Sequence, residues 1–422
     1  MEYLLFAGYL FLFAWLVTRT GFLKKSGLTS AQLVILFLIK IIAAILYGWI
    51  GIYYGQFAYM FDTWGFHFAG VEETKLLYNH PSEYFNNFFY SGYENKFGGF
   101  WNSENSWWND LKSNMFIKLL SVFNIFSFGN YYINAIFYSF LTFLGPIAFC
   151  RVMNDVFPGK KIHVILAIFL IPSFVYWTSG IHKDGLVFLA ISMIVYHFYF
   201  GLKENRISFK RAIIIFISLL IILIFRNYIL IIMIPALTAW YLANRYPGRV
   251  AFAFLSVYLG CCVLFFSTRY ISPSLNFPQA VINKQNAFRQ LQGNSSIKLA
   301  ELEPTAFSFL INSPKALIST IARPHPSDVK HLLSLAAATE TFILLLLFVC
   351  FLFWRKNGVQ SKAFLWFCIF FPLSFLLTIG YTVSFIGAIV RYRSIIIPFL
   401  YVPIICFIDW GKIYNFFKKT LK

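Results

Sequence analysis

A helical membrane protein of about eleven spans is the fold class this sequence predicts, and three observations predict it. Of 422 residues, 59% are hydrophobic and only 12% are charged, against about a quarter charged in water-soluble chains. Aromatic residues reach 21%, which suits a surface solvated by acyl chains and headgroups. Apolar runs of roughly 17–25 residues, the length a bilayer demands, recur between charges, prolines and glycines. A soluble globular enzyme is excluded.

The spans are read, in chain order, over 3–18, 31–54, 131–150, 162–180, 186–201, 212–225, 228–244, 250–267, 341–354, 364–380 and 389–408. The stretch from Met1 to Val17 has neither a basic leader nor a small-residue cleavage site, so no cleavable signal is expected. Lys40 is the one charge deep inside a span, where it pairs internally or snorkels. Cys150, Cys261, Cys262, Cys350, Cys368 and Cys406 all lie in apolar runs and read as small packers, not as disulfide or metal ligands. Residues 1–422 read as a single integral membrane domain without internal repeats.

Basic residues then set sidedness. The short segments 19–30, 151–161, 202–211, 245–249, 355–363 and the tail from 409 hold 19 of the 35 lysines and arginines, and are expected in the cytoplasm. Two long loops, 55–130 and 268–340, fall on the opposite side. The first carries seven acids against four lysines. The net charge of +19 is thus a topology signal and an attraction to anionic lipid, not a nucleic-acid footprint. Phe116, Ile117, Leu119, Leu120, Phe123 and Phe126 follow helical spacing and predict a helix lying on the membrane surface, with Trp101, Trp107 and Trp108 as interfacial anchors. Residues 280–320 predict two short helices broken near Pro304 and Pro314.

Five constellations fall on that outer side: Asp62 with His67, then His182-Lys183-Asp184, Arg226-Asn227-Tyr228, Arg323 to Asp328 with Glu340 ahead of the ninth span, and Arg391-Tyr392-Arg393. Ionisable groups near a bilayer are costly and by default mark a functional site or a buried partner. Arg226, Arg323, Arg391 and Arg393 offer forks for phosphate oxygens, and Lys183 adds a point charge. Both kinds of cation stabilise a leaving lipid phosphate. Asp62 is placed to take a proton from an acceptor hydroxyl. Asp62, Glu72 and Glu73 could hold a divalent cation, the only cofactor suggested. Each residue also has a structural reading: Asp62 as a helix cap, His67 as an interfacial hydrogen-bonder, Lys183 and Asp184 as a turn and cap, the arginines as lipid anchors.

On these residues the chain resembles bacterial membrane glycosyltransferases of the GT-C superfamily, near the protein O-mannosyltransferase-like and arabinose-transferase-like group. The match runs through Asp62 and Phe66-His67, Pro172-Ser173 to Trp177 and Lys183-Asp184, Arg226 with Tyr228, Arg323-Pro324 with Glu340, and Arg391-Tyr392-Arg393 with Pro398. The resemblance implies a GT-C-like bundle in the bacterial cytoplasmic membrane, with a polyprenyl-phosphate sugar donor. It also implies an outer-face active site, a glycan, lipid or protein acceptor, and Asp62 as base. The chain departs from the group at Asn227, where Pro is expected, at Ser327, where an aromatic is expected, and in placing the Asp62 loop after the second span. A polysaccharide polymerase shares much of this pattern. A lipid or solute transporter is the reading from another class, and would need polar groups and broken helices at the midplane.

Overall fold

The computed structural model describes residues 2–53, 63–93, 106–272, 275–291, 293, 295–356 and 361–420. Among these, regular structure is helical, with only two isolated β-bridges, Ser296 to Phe385 and Arg355 to Ile408. Eight helical stretches are long and apolar enough to cross a membrane, or up to ten if each of two bent pairs counts as one crossing.

The principal helices are α1 (Glu2–Arg19), α2 (Ser30–Tyr53), α3 (Thr63–Asn79), α4 (Trp107–Ser127), α5 (Tyr131–Val156), α6 (Lys161–Phe169), α7 (Pro172–Ser179), α8 (Lys183–Lys203) and α9 (Phe209–Arg245). They continue with α10 (Val250–Ser267), α11 (Phe277–Gln290), α12 (Ala306–Ile321), α13 (Leu332–Phe353), α14 (Lys362–Thr382), α15 (Ile386–Ser394), α16 (Ile397–Phe407) and α17 (Trp410–Thr420). The chain divides into two compact units, one from Met1–Val152 with Val175–Asn227, the other from Met153–Phe174 with Tyr228–Lys422.

Three departures from a simple row of spans have local causes. The stretches 162–180 and 389–408 are each two helices, bent by 58° at α6–α7 and by 65° at α15–α16. Pro172 opens α7 and Pro398 lies in the first turn of α16. A proline supplies no N–H to the preceding turn and disfavours helix in the residue before it, so it starts a helix more readily than it continues one. The stretches 212–225 and 228–244 run on as the 37-residue α9, broken at Arg226, whose φ of −149° and ψ of 66° lie outside the helical range. The ninth span begins earlier than its apolar run: α13 starts at Leu332, so Glu340 lies inside the helix and not ahead of it.

In the first unit α3 lies against α4 so closely that a Cβ on Gly70 would come within 2.9 Å of Leu120. Phe116 and Leu120 join a core with Ala44, Trp64, Tyr131, Tyr138, Ile181 and Leu186. The α4 helix therefore exists as its spacing predicts, with Phe116 and Leu120 packed in a protein core and Phe126 exposed. Its charge is covered as well: Lys118 spends its three protons on Glu73, the Tyr84 carbonyl and Asn87, at 2.6–2.7 Å. Trp101 lies outside the described residues.

In the second unit Pro304 falls between α11 and α12, as its break predicts, whereas Pro314 sits inside α12 without ending it. A proline strands the carbonyl four residues back. Here that carbonyl, on Leu310, accepts from the Ser313 hydroxyl at 2.8 Å. α12 packs on α14 at Gly380, where a Cβ would meet the Ala316 carbonyl oxygen at 2.2 Å. All six cysteines are free: Cys150, Cys368 and Cys406 are buried packers, while Cys262 is exposed on α10.

The helix spacing at Gly380 is directly testable. Gly380→Ala forces backbone apart and is expected to lower thermal stability in detergent micelles by about 2 kcal/mol or more. Gly8→Ala, which meets nothing within 4 Å, is expected to leave it within about 0.5 kcal/mol. Equal stabilities of the two variants would show that α12 and α14 are not this close.

Candidate functional site

The residues with the most chemistry in the first unit meet at the head of α8. His182 is extended, with φ −155° and ψ 154°, and the helix begins at Lys183. Asp184 in its first turn is wholly buried. A carboxylate there gains from the positive end of the helix, but burial still demands partners. Arg226 supplies one, Nη2 to Oδ1 at 2.9 Å, and His182 Nδ1 lies 3.3 Å from Oδ2. The break in α9 falls at Arg226 itself, the residue that makes this pair.

The backbone around the pair is held just as closely. Tyr138 donates its hydroxyl to the His182 carbonyl. A Cβ on Gly185 would come within 2.6 Å of the Thr178 carbonyl, and one on Gly180 within 2.2 Å of the Tyr47 ring. Lys40 ends its path here: Nζ donates to the Thr178 carbonyl at 2.8 Å and lies 3.4 Å from the Ser179 hydroxyl. The last carbonyls of a helix have no partner within it and carry partial negative charge. A buried cation satisfies both conditions, so Lys40 pairs internally, with a helix end instead of an acid.

Around this support stand further cations. Lys183 Nζ lies 4.8 Å from the centre of the Phe66 ring and 3.4 Å from the Ser113 hydroxyl. Lys112, the neighbour of Ser113 on α4, is held below the usual lysine range by burial and then by the Arg226 charge. Lys112, His182, Lys183, Asp184 and Arg226 thus form one ionisable cluster contributed by α4, the α7–α8 turn and α9.

Other predicted residues go elsewhere. His67 is buried in a polar nest of its own, with Nδ1 3.3 Å from Asn134, which donates to Asn124 at 2.6 Å. Its neighbour Phe66 is the residue that meets His182 and Lys183. Asp62 lies outside the described residues. Glu72 and Glu73 each engage a different lysine, Lys75 and Lys118. Among the described residues no group of three or more potential ligands is placed to hold a metal.

In the second unit Arg393 and Glu340 act on helix ends as Lys40 does. Arg393 is buried; Nη1 donates to the Thr320 carbonyl at 2.9 Å and to the Arg323 carbonyl, and Nη2 to the Thr341 hydroxyl at 2.6 Å. It closes the C-terminal end of α12 and fixes the turn that follows. Glu340 accepts the Ser173 N–H and hydroxyl, both at 2.6 Å, at the start of α7. Arg391 is half-buried two residues before Arg393, which on a helix puts the two side chains on opposite sides. Tyr228 stacks obliquely near Phe375, ring centres 5.8 Å apart.

Arg323 differs from these. Its guanidinium is 3.6 Å from Asp328 and about a third exposed. It lines a cavity of about 240 Å³ together with Lys298, Lys315, His325, Asn312 and Tyr381. The sequence offered a signal for Lys315 in the apolar stripe Phe307, Leu310, Ile311 and Ile318 that flanks it on α12. For Lys298, in the loop before that helix, it offered none.

Comparison of the chain with protein-family models, with curated proteins and with solved structures finds no match.

Burial holds the His67 imidazole down at about 4, whereas in an unfolded chain it titrates near 6.5. Between those values the unfolded chain binds a proton that the folded chain refuses, so stability falls as pH drops through the window. Thermal unfolding in micelles is expected to show wild type losing roughly 2 kcal/mol from this group between pH 7 and pH 5. His67→Gln should flatten that portion of the profile. The same loss in both proteins would show that His67 is not the titrating group.

Proposed function

We propose that this protein is a membrane glycosyltransferase that moves a sugar from a polyprenyl-phosphate donor to a glycan, lipid or protein acceptor. The observation that carries the reading is the ionisable cluster of Lys112, His182, Lys183, Asp184 and Arg226, built around a wholly buried carboxylate in an otherwise apolar helical protein. Burial of that kind is expensive and calls for a functional or structural reason. Asp184 orients Arg226 and His182, leaving the Lys183 ammonium beside an aromatic face and a hydroxyl. Such a group is suited to the phosphate of a lipid-linked donor and to the charge that grows on it as the sugar departs.

The rest of the reading extends the resemblance to the GT-C superfamily. The chain crosses a bacterial cytoplasmic membrane about eleven times, with α9 counted as two crossings at its Arg226 break, and the site opens on the outer face. Asp62 serves as the base for the acceptor hydroxyl. A divalent cation, if the reaction uses one, would draw on Asp62 and not on Glu72 and Glu73 as a pair, since each of these holds a lysine. A polysaccharide polymerase remains the close alternative, because it would need the same cations for a lipid diphosphate.

One observation favours a transporter as a second reading: two stretches of spanning length are bent by 58° and 65°, as in carriers built on discontinuous helices. Against it, the charges beside those bends, Glu340 and Arg393, are consumed by backbone groups and side-chain hydroxyls.

Protein in lipid nanodiscs is to be supplied with polyprenyl-phosphate sugars, and donor consumption measured. Wild type is expected to turn over at least one donor, and Lys183→Ala to reduce the rate by roughly 100-fold or more. Reconstituted vesicles that take up labelled solute while no donor is consumed would support transport instead and contradict this proposal.

A further inference from the structure

The cavity that Arg323 lines has no part in the cluster at the head of α8, and its chemistry is distinct. Among the described residues Lys298 and Lys315 stand exposed at its wall with no acidic partner, and Arg323, beside Asp328, and His325 complete a basic rim. Among the described residues no carboxylate lines it. The floor is fixed: buried Gln285 donates to the Ala300 and Tyr381 carbonyls at 3.1 and 2.7 Å, and Arg393 holds the carbonyl of Arg323. A preformed basic concavity of this sort takes an anion with several oxygens, because Arg forks two of them and lysine ammoniums meet the rest.

The second half of the ligand is read from the neighbouring cleft. A second cavity, of about 390 Å³, is lined by His325 together with Pro324, Val329, Leu335, Phe342 and Leu345. His325 lines both. One of these two cavities therefore carries the cations and the other is mostly apolar, a division that matches an amphiphile. The outward stripe of α12, Phe307, Leu310, Ile311 and Ile318, is more than half exposed at every position. In a membrane protein such a stripe faces acyl chains and places Lys315 at headgroup level.

We propose that the second unit holds a binding site for a lipid bearing a phosphate monoester, with the phosphate among Lys298, Lys315 and Arg323 and the chain in the cleft beyond His325. The site is independent of glycosyl transfer; it would be filled whether or not a donor is consumed at the head of α8.

The test uses the full chain in detergent, with phosphatidic acid as the probe and native mass spectrometry as the readout. Wild type is expected to retain one molecule of long-chain phosphatidic acid in preference to phosphatidylcholine. Lys298→Ala and Lys315→Ala should each weaken retention about fivefold. Among the described residues neither exposed lysine has an acidic partner, so neither substitution breaks an ion pair of the fold. Leu345→Gln, which makes the cleft polar, should weaken long-chain but not dihexanoyl phosphatidic acid, and Lys412→Ala on α17 should change nothing. Equal retention of phosphatidylcholine, or no effect of the double lysine variant, overturns the site. Displacement by inorganic phosphate as readily as by the lipid overturns the assignment of the cleft and leaves a site for a soluble anion.

Discussion

A charge carried into an apolar, helical chain must find a partner at once, and that constraint organises this protein. Its most demanding instance is Asp184, wholly buried and held by Arg226 and His182. An isolated ion there would cost several kcal/mol, and removing one partner of such a pair typically costs about 3–5 kcal/mol. Three further buried charges obey the same rule with backbone among their partners. In the first unit Lys40 takes the end of α7; in the second, Glu340 takes its start and Arg393 takes the end of α12. In each case the sign of the charge matches the helix end it meets.

This division of labour bears on function. Lys40, Lys118, Glu340 and Arg393 are charges whose hydrogen-bonding groups are largely spent on the fold. Lys183 in one unit lies beside the Phe66 ring and the Ser113 hydroxyl, and Lys298, Lys315 and Arg323 in the other line a cavity where a phosphate can be met. Arg226 pairs with Asp184, the residue after Lys183, at the break in α9. The functional reading therefore rests on cations held in place by other charges, not on a catalytic carboxylate within the described residues.

Much of the fold was legible from hydropathy and punctuation. The helices over 31–54, 131–150, 186–201 and 250–267 appear close to their apolar runs, because span length and terminal charge define them. The bends at α6–α7 and α15–α16 were not legible, although Pro172 and Pro398 stood in view, since a proline inside an apolar run reads equally as a kink or a start. Glu340 misled the reading of α13. A carboxylate ordinarily ends a span, and the N–H and hydroxyl of Ser173, 167 residues away in the chain, help make it tolerable inside one. Of the site, Lys183, Asp184 and Arg226 were singled out by their cost near a bilayer, and Asp184 and Arg226 do pair. His67 was singled out by its motif, yet it sits with Asn134 and Asn124. Lys298 was missed because nothing local sets one loop lysine apart.

The central claim is that the Asp184–Arg226 pair is a support whose purpose is to position cations that act on a lipid phosphate. A double-mutant cycle with Asp184→Asn, Arg226→Gln and the combined variant, read both as thermal stability in nanodiscs and as donor consumption, tests it most directly. Arg226→Gln alone removes the charged partner of a buried carboxylate and should cost about 3 kcal/mol or more. The combined variant should recover at least about half of that while donor consumption stays depressed in all three. Additive stability losses, together with a combined variant that consumes donor as wild type does, would contradict the account.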